Sequence, residues 1–157
     1  DAVLGQLNRF GVEQVALVGS GLGAAVAIAA AGRSPAAVSH LVLTDVLPRT
    51  PKLAGALQRL AVRAMPAAKL AQVGLDRARM LALMKTAAGI DVRPWLTEVT
   101  ARTLFVGGSA NVPGVTAARE LAEAIAGARV ELIGKAGLSV PTDAPQEFNR
   151  LLYDFLG

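Results

Sequence analysis

Residues 15–31, VALVGSGLGAAVAIAAA, join an apolar run, three alternating glycines and a stretch of small residues. That is the pattern of a buried strand, a tight turn and a closely packed helix. Covalent acyl-transfer chemistry places a serine at the tip of such a turn, in the pattern G-x-S-x-G, because the turn lifts its central side chain clear of the backbone. Here the run is Gly19-Ser20-Gly21-Leu22-Gly23, so the tip is Gly21 and carries no side chain. Ser20 stands one position off the register, since Val18 and Leu22 are not glycines. Its expected role is a hydroxyl bonded to the turn backbone.

Other polar residues fall near the same turn. Asp45 ends the next apolar run and is the carboxylate expected on the turn side, as a cap or loop residue. Ser109, Asn111 and Ser139 belong to loops at that end. They can hydrogen-bond a ligand but cannot replace a general base. Leu22 and Leu138 would add apolar lining. His40, the single histidine, leads a run that puts it at the opposite end of the sheet, in a structural or surface role. Thr142 and Asp143 precede the last helix and are expected to cap it. With no cysteine and one histidine, no metal site and no cofactor are expected.

The turn also fits a second chemistry. Gly19 to Ala24 satisfies G-x-G-x-x-A, and Asp45 follows near the spacing at which dinucleotide sites hold a ribose hydroxyl. A nucleotide-binding reading is therefore an alternative, although it explains neither the helical insertion nor the C-terminal third.

Four apolar runs, 14–19, 40–45, 103–107 and 129–133, read as strands buried on both faces. Helical patterns alternate with them at 2–10, 22–32, 114–126 and 145–156. Such alternation implies right-handed crossovers, so an α/β fold is expected: a parallel sheet of about four strands with helices on both faces. Residues 48–95 break the rhythm with two helical stretches and no strand. They form either a lid over the sheet or a long crossover. Nine basic residues against two acidic ones make the segment 49–93 the basic part of a chain of net charge +4. A solvated helical face is the expected reading of that charge.

At 157 residues, over half of them apolar, the chain suits one globular domain. No apolar run spans a membrane, and no nucleic-acid module is recognisable. The lack of cysteine fits a reducing, cytoplasmic setting. The chain opens on Asp1 with no secretory pattern, and is expected to be either processed or part of a longer protein.

In order and spacing, residues 7–45 and 103–156 resemble the alpha/beta-hydrolase superfamily, with 48–95 where that family carries its cap. The resemblance implies a nucleophile at Gly21, an acid in the turn Ser109-Ala110-Asn111, at Ala110, and a base at Leu138. None of the three can do that work, and a hydrolytic triad needs its base to activate the hydroxyl. The family's fold also begins with about four further strands, to which nothing here corresponds. A truncated fold of this kind would leave strand 14–19 at a raw sheet edge, expected to be covered by a second copy, a different chain or the missing half of a split protein. The expectation is a non-hydrolytic domain that binds a small apolar ligand or a partner. The alternative is a structural subunit completing another chain's sheet.

Overall fold

The computed structural model describes residues 5, 9–49, 60, 62–66, 76–87 and 89–157. Contacts divide the chain into two compact units, Asp1–Pro48 with Val92–Gly157, and Arg49–Asp91.

The first unit is built on four parallel strands in the order β1-β2-β3-β4. These are β1 (Val15–Ser20), β2 (Val38–Thr44), β3 (Arg102–Gly108) and β4 (Arg129–Ile133). Helix α1 (Leu22–Arg33) follows β1, and a 3-10 turn (Pro35–Ala37) leads into β2. Short helix α3 (Arg93–Leu96) precedes β3, α4 (Val112–Glu123) precedes β4, and α5 (Val140–Asp143) and α6 (Pro145–Leu156) close the chain.

Paired residues of a parallel sheet share a face, so the register sorts the core. Val42 pairs with Leu104, and both pack with Val106, Ile133, Val140, Phe148 and Phe155 beneath α5 and α6. Leu41, Leu43 and Phe105 lie on the opposite face and are fully buried. On that face α1 packs against β1 and β2, and α4 against β3 and β4. The α/β architecture with helices on both faces is therefore as the sequence implies.

Element ends differ from the apolar runs in instructive ways. Strand β2 begins at Val38 because Val15 pairs with Val38 while Ala16 pairs with His40, which leaves Ser39 as a bulge. The Ser39 hydroxyl donates to the Val15 carbonyl at 3.1 Å, so the bulge costs no unpaired acceptor. Helix α4 starts two residues early, at Val112, because Asn111 Oδ1 accepts the Gly114 N–H at 3.2 Å. A side-chain cap and a proline at the first turn together set that start.

Strand β1 is the edge of the sheet among the described residues, and its cover is one-sided. Ala16 and Val18 point to the face that α6 covers farther along the sheet, and Val18 is 50 % exposed.

In the second unit, α2 (Arg77–Ala87) is preceded by Asp76, whose carboxylate accepts the Arg79 N–H at 2.8 Å. That cap explains a start well inside the expected second helical stretch. Most of the first stretch, and most of the expected helix over 2–10, lies outside the described residues.

Candidate functional site

The carboxyl ends of β1, β2, β3 and β4 bring the candidate residues to one end of the sheet. Gly21 sits at φ 54° and ψ −116°, a left-handed backbone that favours glycine. Its N–H donates to the Thr44 carbonyl at 2.9 Å, which ties the tip of the turn to the end of β2. A Cβ built on Gly21 would meet nothing within 4 Å. The turn therefore has the sharp geometry of a nucleophile elbow and open space where the nucleophile would project.

The Ser20 hydroxyl donates to Asp45 Oδ2 at 3.3 Å instead of bonding the turn backbone as its position suggests. The reason is that Asp45 turns back at φ 55°, swinging its carboxylate toward β1. Burial pushes the Asp45 carboxyl above the ordinary value of 3.8. The Thr44 and Ser20 hydroxyls and the Val140 N–H oppose that shift, while the Asp143 charge adds to it. Thr44 Oγ1 is buried and meets no partner of hydrogen-bond geometry, so its effect on Asp45 is one of proximity, not of a formed bond.

A group with a raised folded-state value contributes stability below its unfolded value and loses it as pH rises through the folded value. Ionised Asp45 thus weakens the fold toward neutral pH. Asp45→Asn is expected to gain on the wild type between acid and neutral pH, measured as urea midpoints across that range. A wild-type-minus-variant difference independent of pH would contradict the assignment.

The other candidates serve the loops. Ser109 Oγ accepts the Lys135 N–H at 3.1 Å, and Ala110 N–H donates to the Ala136 carbonyl at 3.0 Å. Asn111 is spent on capping α4. Ser139 Oγ donates to Thr142 Oγ1 at 3.1 Å. Leu138 is 76 % exposed, and Leu22 is partly exposed at the start of α1. Asp143 does not cap the last helix: its carboxylate accepts the Gly137 N–H at 2.8 Å, and the cap position of α6 is Ala144, without a side-chain bond. The physical reason is the separate helix α5, which turns Thr142 and Asp143 back toward the loop after β4. Of the three positions matched to a triad, Gly21, Ala110 and Leu138, none has a side chain that exchanges a proton.

Four parallel strands with this turn after β1 superpose on solved hydrolase structures. A hydrolase from Pseudomonas aeruginosa matches with a TM-score of 0.84 at 20 % identity, over 99 % of this chain and 69 % of that one. An alpha/beta hydrolase from a Medee basin deep-sea metagenome library matches with a TM-score of 0.86 at 19 % identity, over 99 % of this chain and 70 % of that one. The fold is that of the alpha/beta hydrolases. NosK from Streptomyces actuosus, at 26 % identity and a TM-score of 0.79, covers 98 % of this chain and 73 % of its own. No protein-family profile and no curated protein matches the chain.

The alpha/beta-hydrolase fold bears on the dinucleotide alternative. A doubly wound dinucleotide site lies where the strand order reverses beside the fingerprint strand. Among the described strands, which run from β1 to β4, no such reversal occurs beside β1. No group of histidine, aspartate and glutamate side chains suited to a metal occurs among the described residues. No described helix is long and apolar enough to cross a membrane.

Sequence reasoning missed the buried Thr44 hydroxyl and the Val140 N–H near Asp45, and the Asp143 bond to Gly137. Only the apolar context of Thr44 within LVLTD carried any signal for them.

Proposed function

We propose that this chain is a non-hydrolytic alpha/beta-hydrolase-like domain that binds a small apolar ligand at the carboxyl ends of its strands. The observation that carries the reading is Gly21: the elbow geometry is kept at φ 54° and ψ −116°, with no nucleophile on it. Ala110 at the acid position and Leu138 at the base position support it, because shaping a ligand needs no proton transfer.

Hydrolysis of p-nitrophenyl acetate and butyrate is the test. The wild type is expected to release p-nitrophenol no faster than buffer. Gly21→Ser is expected to remain inactive, since no base activates the hydroxyl, and to lose about 1–3 kcal/mol to backbone strain. Saturable turnover by the wild type would overturn the reading. Native mass spectrometry is the companion measurement, with an added mass of a few hundred daltons (about the size of a pocket-filling ligand) as the expected result.

A second reading, a structural subunit that completes another chain's sheet, is favoured by the half-exposed Val18 on an edge strand. It predicts a ligand-free dimer or heteromer in the same spectrum.

A further inference from the structure

At the amino end of the strands, opposite the elbow, the first unit holds a cavity of about 120 Å3. It is far smaller than a nucleotide pocket and opens to solvent along its rim, so a ligand would be only partly enclosed. Its apolar wall is Leu104, Leu151 and Phe155, and charge of both signs rims it: Arg102 and Arg129 against Glu131 and Asp154.

Arg102 is held in place. Its guanidinium carbon lies 5.3 Å from the Phe155 ring centroid, and Nη1 is 3.3 Å from His40 Nε2. His40 is itself fixed, edge-on to Phe155 at 5.7 Å and 3.0 Å from the Ser39 hydroxyl through Nδ1. That hydroxyl already donates to the Val15 carbonyl, so it accepts from His40 Nδ1–H. Nε2 is then left as the acceptor for Arg102. A chain of three hydrogen bonds thus holds one lining arginine in place without using a carboxylate.

Among the described residues no ion pair joins Arg129, Glu131 or Asp154, although they rim one cavity. Two guanidiniums and two carboxylates are therefore presented to whatever enters. A simple anion would meet both acids, and a simple cation both arginines. A molecule carrying both charges beside a short alkyl group matches the whole rim.

We propose that this cavity binds a small zwitterion of the α-amino acid class, its carboxylate on Arg102 and Arg129, its ammonium on Glu131 and Asp154, and its alkyl group against Leu104 and Leu151. Guanidinium forks suit a carboxylate, and placing one in advance lowers the ordering cost of binding.

Titration of the 15N-labelled protein with L-valine tests this, with 3-methylbutanoate lacking the amine and isobutylamine lacking the carboxylate as comparison ligands. L-Valine is expected to shift the amides of Arg102, Arg129 and Glu131 while leaving those of Gly21 and Leu22 in place. Both comparison ligands are expected to bind at least about tenfold more weakly, a difference of about 1.4 kcal/mol. Arg129→Gln, at an exposed position, is expected to weaken valine binding by a similar factor with an unchanged melting temperature. Arg102→Lys is expected to do so as well, by losing the fork while keeping the charge. A flat titration, equal binding of 3-methylbutanoate, or shifts confined to the elbow would each overturn the proposal. None of those results bears on ester hydrolysis at the other end of the sheet.

Discussion

Gly19→Val is expected to destabilise the first unit by about 3 kcal/mol or more, the upper range for overpacking. A Cβ at Gly19 would lie 2.7 Å from the Cα and N of Ala24 and from the carbonyl carbon of Gly23. All three are backbone atoms of α1, so no rotamer change relieves the clash. Either β1 or the helix must move, and the bond from Gly21 N–H to the Thr44 carbonyl that closes the elbow would go with it. Gly23→Ala is the control. A Cβ there meets nothing within 4 Å, and at a backbone that alanine can adopt the change from glycine stabilises by about 0.4–1 kcal/mol. Urea unfolding of the two variants should therefore move in opposite directions. A Gly19→Val protein as stable as the wild type would mean that α1 does not pack on β1 as described.

The three glycines of the turn look alike in the sequence and do different work. Gly19 lets a helix approach a strand, Gly21 supplies a left-handed φ, and Gly23 does neither. The pattern located the turn because alternating glycines between an apolar run and an alanine-rich run have few other uses. It could not assign the roles, which depend on atoms brought together by the fold. The four strands were legible for a related reason: runs apolar at every position must be covered on both faces, and alternation with helices makes them parallel.

What the sequence concealed lies between distant segments. Ser20 and Asp45 are 25 positions apart, and their bond depends on a positive φ at Asp45 for which an aspartate gives little notice. The bulge at Ser39 is equally silent, yet it seats the hydroxyl that orients His40 and, through it, Arg102. Asp143 was legible as a helix cap by position, but a separate short helix redirected it to Gly137. Each of these is a polar side chain whose choice among nearby backbone and side-chain partners is decided by tertiary placement.

That dependence makes Gly108 the second position where a small change should have a large effect. A Cβ there would press on the carbonyl oxygens of both Ala136 and Gly137 in the loop that carries Leu138. The loop is tied to the end of β3 by Ser109 N–H on the Ile133 carbonyl at 2.9 Å and Ala110 N–H on Ala136 at 3.0 Å. Ser109 Oγ returns a third bond by accepting Lys135 N–H at 3.1 Å. Gly108→Ala should push the loop off and break these ties, at a cost of about 3 kcal/mol from overpacking and unpaired polar groups together. Amide exchange at Ser109, Ala110 and Lys135 should rise more than in the core of β2. Gly134→Ala, whose Cβ meets nothing within 4 Å, should change neither quantity. If Gly108→Ala instead keeps both its stability and its exchange pattern, the loops after β3 and β4 are not held together. The loops beside Gly21 would then offer no fixed surface to a ligand at the carboxyl ends of the strands, while the cavity beside Arg102, at the far end of β3, would stand unaffected.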